Sequence, residues 1–232
     1  MMAGEAMVCP VCHGQDFREA KILWPALIME WELSPAEVRL IDRQQGLCCC
    51  SCGSNLRSMT IAAAFLKEFE STDCFETFVE TSETARSSRL LEINNAGTLS
   101  RWLSRFRHYT IVKWPDVDMQ DLKIEDRSYD IVVHSDTLEH VPDPVRALRE
   151  CRRILSPRGR LCFTIPIVPT RLTRRRTELP PSYHGAPGQR AGDFRVVTEY
   201  GADFFMEIVA AGFTSVTLHT LGDPSSFCLV CR

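Results

Sequence analysis

Two sets of residues in this chain have the types and spacing for chemistry. The first is sulfur. Cys9 and Cys12 form one Cys-x2-Cys pair, and Cys49 and Cys52 form a second, followed by Gly53. Two such pairs can place four thiolates around one tetrahedral Zn²⁺. The glycine lets backbone amides turn toward the sulfurs. Cys48 and Cys50 lie in the same run, but with each other they do not have this spacing. The plainer alternative is that several of these thiols are small buried residues. The second set is His134, Ser135, Asp136, Glu139 and His140, within the stretch HSDTLEHV, with His184 further along. Imidazoles titrate near the working pH, so His134, His140 and His184 are candidate bases.

The elements around the second set dictate where it lies. YDIVV, just before it, reads as a buried parallel strand. After it, Asp143 is a plausible N-cap and Pro144 a first helical residue. Val145, Leu148, Cys151 and Leu155 follow at roughly helical spacing, and Pro157 and Gly159 end the run before the strand RLCFTIPIV. The polar cluster therefore belongs at the carboxyl end of a strand, the edge where open α/β sheets bind ligands. Upstream are a helix at MTIAAAFLKEFE, a strand at RLLEI, a helix at TLSRWLSRF and a strand at HYTIV. Downstream are a polar loop over residues 169–195, a helix at EYGADFFMEIVAAG, and strands at FTSVTLHT and SSFCLVCR. This alternation predicts an α/β fold: a Rossmann-like, doubly wound, mostly parallel sheet with an antiparallel last strand. Between the cysteine pairs lie a tryptophan-rich apolar stretch, ILWPALIMEW, and a helix start at Ser34-Pro35-Ala36-Glu37. We divide the chain into a zinc-ribbon-like module at 1–57 and the α/β domain at 58–232.

The totals fit one medium domain with a small appendage: 232 residues, 44% apolar, 25% charged, net charge -3. Nothing pulls the chain globally toward nucleic acid, and residues 1–57 hold seven acidic against five basic side chains. The N-terminus lacks a basic region followed by an apolar one, and no stretch is apolar for long enough to span a bilayer. A cytoplasmic location is the expectation. The eleven cysteines then read as thiols or metal ligands rather than disulfides.

The order LEI, G, L, then SYDIVVHSDTLEHVPDPVRALRECRRILSPRGRLCFTIP, resembles the class I S-adenosylmethionine-dependent methyltransferases, from about Arg89 to Cys231. With the cysteine segment and the later SYHG, it is similar to bacterial members that modify glycans or small molecules. The resemblance implies cofactor positions residue by residue. Glu92 would be the acid near the methionine end. Asn94, Ala96 and Gly97 would form the backbone cradle, with Asn94 and Ala96 where glycines are usual. Lys113 stands where an acid for the ribose is expected, and Asp116 is its nearest substitute. Asp118 and Met119 would line adenine, and Ser135 and Asp136 would meet the methyl-bearing sulfur.

The function this implies is methyl transfer to a small molecule or glycan, at oxygen, with S-adenosylmethionine as cofactor and a structural Zn²⁺. Arg171, Arg174, Arg175 and Arg176 form the one dense basic cluster and could clamp a phosphate or carboxylate on the acceptor. Two other readings stand beside this one. The first is an RNA methyltransferase whose zinc module contacts RNA. The second is a non-catalytic zinc-bearing interaction protein, for which the departures at Asn94, Ala96 and Lys113 argue.

Overall fold

A computed structural model describes residues 7–185 and 194–232 of the chain. The segment bearing the first cysteine pairs holds a short ribbon, β1 (Phe17–Arg18) with β2 (Cys48–Cys49), and two helices between them, α1 (Pro25–Glu30) and α2 (Pro35–Gly46). The expected start of α2 is a full capping box. The Ser34 hydroxyl accepts from the Glu37 amide at 3.3 Å, and the Glu37 carboxylate accepts from the Ser34 amide at 2.8 Å. Helices α3 (Leu56–Glu68), α4 (Phe75–Thr81) and α5 (Glu83–Ser87) lead to β3 (Arg89–Ile93).

The helix expected after β3 is shorter than its pattern. A 3₁₀ turn over Gly97–Leu99 runs into a single helical turn, α6 (Ser100–Leu103). β4 (His108–Val112), β5 (Tyr129–Ser135), α7 (Pro144–Ile154) and β6 (Leu155–Thr164) follow, and the Asp143 carboxylate accepts from the Arg146 amide at 3.0 Å as the N-cap of α7. Residues 113–128, which cross from β4 over β3 to β5, contain no helix. Trp114 is therefore left 53% exposed on that connection.

Among the described residues the polar loop holds two two-residue strands, β7 (Arg174–Arg175) and β8 (Ser182–Tyr183), which pair with two more at and just beyond its end: β8 with β9 (Arg195–Val196) and β7 with β10 (Thr198–Glu199). This pairing takes Glu199 out of the helix expected there, which is reduced to α8 (Phe205–Ala210). Gly201 packs so tightly that a Cβ on it would sit 2.2 Å from the Arg171 carbonyl oxygen, so only glycine fits at that point. β11 (Val216–Leu221) and β12 (Ser226–Cys231) close the chain.

The central sheet runs β11-β12-β6-β5-β3-β4. β4, β3, β5 and β6 are parallel, and β12 is antiparallel to β6 and to β11. This is the doubly wound, mostly parallel sheet that the element order predicts. Successive strand residues face opposite cores. Leu90, Ile131, Val133 and Val230 pack with α3, α6 and the buried Cys9, Val11 and Cys49. Leu91, Val132, Phe163 and Leu229 pack with α7 and α8. A third, small core joins the inserted helices to the loop after β6 through Leu27, Trp31, Ile41, Val168 and Val196. Among the described residues no helix is long and apolar enough to cross a membrane.

Candidate active site and cysteine cluster

The four cysteines of the two pairs converge. Sγ of Cys9 lies 3.7 Å from that of Cys52, Sγ of Cys12 lies 3.7 Å from that of Cys49, and all four are within 4.8 Å of one another. A Zn–S distance of about 2.3 Å requires tetrahedral edges of about 3.8 Å, so the cluster has the dimensions of a zinc–thiolate site. Both turns close alike. The His13 amide donates to the Cys9 carbonyl and the Gly53 amide to the Cys49 carbonyl, each at 2.8 Å, with positive φ at His13 and at Gly53. Burial pushes the Cys9 thiol up and holds that of Cys12 at about 11. At Cys49 burial is outweighed by the amides of Cys52 and Ser51, which bring it to about 7. Cys48 and Cys50 lie outside the cluster.

The carboxyl ends of β3, β4 and β5 open into a cavity of about 820 Å³, within the size range of small-ligand sites. On the strand side Asn94, Lys113, Asp118, Met119, Ser135 and Asp136 line it. Asn94 adopts φ +60°, a conformation asparagine tolerates better than most residues other than glycine. Its side-chain oxygen accepts from the Trp114 amide at 3.0 Å, tying the end of β3 to that of β4. Asn94 thus fills a glycine position with a residue that also braces the site.

Glu92, Ala96 and Gly97 do not line the cavity but build the turn beneath it. The fully buried Glu92 carboxylate accepts from the Ala96 amide at 2.7 Å, from the Tyr109 hydroxyl at 2.6 Å, and from the Ser100 hydroxyl. Burial and that carboxylate push the Tyr109 hydroxyl well up, so it stays a donor. Gly97 has φ +64°, and a Cβ there would come within 3.2 Å of the Ser58 hydroxyl. Asp116, offered as the substitute for the missing acid, is exposed and is not among the lining residues. The end of β4 presents Lys113 and Trp114 instead. Asp118 does line the cavity, its Oδ1 accepting from the Gln120 amide at 2.8 Å.

β5 runs through Ser135, beyond the apolar run that marked it in the sequence. This moves His134 away from the mouth, contrary to the sequence expectation. Its ring is fully buried, stacks on Phe163 at 4.6 Å, and has no hydrogen-bond partner on either nitrogen among the described residues. Burial drives its pKa down to about 3, so it is neutral at any working pH. Ser135 bonds to the Thr164 hydroxyl at 2.7 Å. Asp136, at φ +42°, is engaged from three sides: Arg57 at 2.5 Å, Gln45 at 2.8 Å and the Thr164 hydroxyl at 3.0 Å. Burial opposes its charge, but Arg57 and Gln45 outweigh that and keep its carboxyl below the usual range.

The opposite wall comes from segments distant in sequence. Trp24, Leu27, Trp31 and Ile41 of the N-terminal insert line the cavity together with His140, His184 and Phe194, and the Trp31 and His184 rings meet edge to face with centroids 6.5 Å apart. The Trp31 indole donates to the Ser182 hydroxyl at 2.7 Å, which ties the insert to the loop bearing His184. The rings of His140 and His184 stack at 4.6 Å over Glu139, whose side chain is 1% exposed.

Residues 49–163 match the family model described as a methyltransferase domain. The chain carries a class I, S-adenosylmethionine-dependent methyltransferase domain. Among solved structures, the trans-methyltransferase CalH in complex with SAH is 17% identical, with 68% of this chain and 54% of that one covered and a TM-score of 0.43. This chain thus spans about half the length of CalH. An S-adenosylmethionine-dependent methyltransferase from Mesorhizobium loti is 17% identical, over 67% of this chain and 96% of its own, with a TM-score of 0.42. One from Aquifex aeolicus is 11% identical, over 72% and 96%, also at 0.42. No curated protein matches the chain.

Around the methyltransferase sheet, the arginine cluster has a use other than the acceptor clamp expected of it. Arg171 pairs with Glu37 at 2.8 Å, Arg174 with Glu199 at 2.8 Å, Arg175 with Glu207 at 2.7 Å, and Arg176 with both Glu199 and Glu30. None of the four lines the cavity. They fasten the loop and the insert to one another, which leaves no free guanidinium there for a phosphate. The residues that sequence reasoning missed are Arg57, Gln45 and the tryptophans of the insert. The one local signal was the apolar stretch ILWPALIMEW itself, too rich in large side chains to be left in water.

Proposed function

We propose that this protein transfers the methyl group of S-adenosylmethionine to a hydroxyl oxygen of a small molecule or a glycan-type acceptor held in the covered cavity, and that the cysteine cluster holds a structural Zn²⁺. The observation that carries the reading is the division of one cavity into two walls. The strand-end wall carries the polar Asn94, Asp118, Ser135 and Asp136, which suit a nucleoside with an amino-acid tail. The insert wall is aromatic, as the ring or apolar face of an acceptor requires.

On this reading the amides above Glu92 cradle the methionine end, Asp118 and Met119 lie against adenine, and Ser135 and Asp136 lie toward the sulfonium. The acceptor oxygen approaches the methyl carbon in line. Its lone pair forms the new C–O bond, and the C–S electron pair returns to sulfur, leaving a neutral thioether. The hydroxyl proton must leave, and the group formed by Glu139, His140 and His184 is the part of the wall that can manage it, with the His184 imidazole as the direct acceptor. Zinc fastens the insert at its two ends, so the metal supports the covering wall without touching the reaction.

Calorimetry with S-adenosylhomocysteine tests the reading directly. One site per chain is expected, displaced by S-adenosylmethionine. Wild-type protein that takes up neither ligand at millimolar concentration would overturn it. Retention on immobilised RNA, with no small-molecule hydroxyl methylated, would replace the acceptor class by RNA.

A further inference from the structure

We propose that Glu139, His140 and His184 form a binding site for a divalent transition-metal ion, separate from the cysteine cluster, on the acceptor side of the cavity. One carboxylate oxygen and two imidazole nitrogens lie within 4.8 Å of one another. Glu139 Oε1 is 3.6 Å from Nε2 of His140 and 3.5 Å from Nε2 of His184. Those distances are too long for N–H···O hydrogen bonds, which fall at about 2.7–3.2 Å. They are close to the separation of about 3.3–3.5 Å between ligands that each bind a tetrahedral ion at about 2.0–2.1 Å.

The orphaned atoms point the same way. Both oxygens of the buried Glu139 carboxylate, and Nε2 of His184, lack hydrogen-bond partners among the described residues. A buried carboxylate left without partners is costly, and a cation among these three groups removes that cost. The imidazoles are also prepared as ligands. Nδ1 of His140 lies 2.9 Å from the Arg195 carbonyl oxygen. A carbonyl can only accept, so Nδ1 carries the hydrogen and the Nε2 lone pair is free, which is how metal-binding histidines are commonly oriented. The stacked rings direct both Nε2 atoms at the same carboxylate oxygen. Asp136, though three residues before Glu139, is held by Arg57 and Gln45 and is not part of the group.

Two imidazoles and one carboxylate suit Zn²⁺, Co²⁺, Fe²⁺ or Mn²⁺. The inference deepens the methyl-transfer reading and, for its catalytic role, rests on it. An acceptor hydroxyl bound to the ion would release its proton to water, so that the alkoxide or phenoxide attacks the methyl carbon while the C–S electron pair returns to sulfur. The histidines then act as ligands and not as the proton's final acceptor.

Zinc and its spectroscopic substitute Co²⁺ are the probes. The full-length chain is dialysed against micromolar Zn²⁺ and analysed for metal, then reloaded with Co²⁺ for absorption spectroscopy. Wild type should hold about two ions per chain, one of which lacks thiolate charge-transfer bands. His184→Ala and Glu139→Gln should each lose that one and keep the thiolate-bound ion. S-adenosylhomocysteine affinity serves as the control for folding. If Glu139→Gln fails to fold, His184→Ala decides, because its side chain is partly exposed and lies on a loop. Wild type with only the thiolate-bound ion overturns the proposal, and so does a second ion that survives in His184→Ala. If such a protein still binds S-adenosylhomocysteine and loses turnover in His184→Ala, the imidazole is a base and the methyl-transfer reading stands without the metal.

Discussion

The two walls of the cavity are made in different ways. The turn beneath the strand-end wall is local: Glu92, Asn94, Ala96 and Gly97 are near neighbours in sequence, and the hydrogen bonds from Ala96 and Ser100 to Glu92 span four and eight residues. The covering wall is assembled from afar. Trp31 meets Ser182 across 151 residues, and Arg171 meets Glu37 across 134. Local turns are fixed by φ requirements and short hydrogen bonds. A wall made by distant segments depends on every fastening that holds those segments together. The first wall should therefore respond to backbone changes in ligand affinity, and the second to loss of its fastenings in stability and turnover.

The largest effect should come from the fastening at the ends of the insert. Cys12→Ser and Cys52→Ser should each lose the zinc and release the insert, seen as proteolysis of residues 1–57 and a large fall in thermal midpoint. Cys48→Ser and Cys74→Ser should do neither. Loss of metal in Cys48→Ser with retention in Cys52→Ser would assign the cluster differently.

Next comes the chemistry of the covering wall. His184→Ala should lower turnover by about 10²-fold or more while leaving cofactor affinity near wild type. A matching loss of S-adenosylhomocysteine binding would place the imidazole on the wrong wall.

The strand-end wall should give a smaller, purely affinity effect. Gly97→Val puts a β-branched residue at φ +64° and toward the Ser58 hydroxyl, so the turn must shift and affinity for S-adenosylhomocysteine should fall about 10-fold, a difference of about 1.4 kcal/mol. Titration calorimetry on a variant of unchanged thermal midpoint would separate this from general unfolding.

The smallest effect concerns the Glu37–Arg171 fastening. Burial works against the Glu37 charge, but Arg171 and Thr170 outweigh it and hold the carboxyl at about 2. Because the folded pKa is depressed, its contribution is present above the ordinary value of 4.5 and is lost as pH falls from there toward about 2. Glu37→Gln should cost about 1 kcal/mol at neutral pH, a fall of about 2–4 °C in thermal midpoint. That deficit should shrink as acid protonates wild type. A deficit constant from pH 6 to pH 3 would show that the ion pair contributes nothing.

The sequence by itself determined the sheet and the place of the turn after β3. Strand identity is written in short apolar runs, and RLLEI and HYTIV occupy β3 and β4 residue for residue. The four cysteines could be paired from spacing alone, because a tetrahedral ion accepts few spacings. What spacing could not supply was the facing of polar residues near a strand end. His134 looked like a mouth residue because histidine is polar. Two further residues of pairing with β6 carry it into the sheet against Phe163, where stacking replaces solvent. The arginines of residues 171–176 looked free because their partners, Glu30, Glu37, Glu199 and Glu207, lie in other elements. Only the tertiary structure decided that the tryptophan-rich insert covers the sheet edge and that Glu139, His140 and His184 share one point. The first depends on contacts such as that of Trp31 with Ser182, 151 residues apart, and the second on the loop bearing His184 folding back over Glu139; neither periodicity nor motif spacing encodes which surfaces will meet.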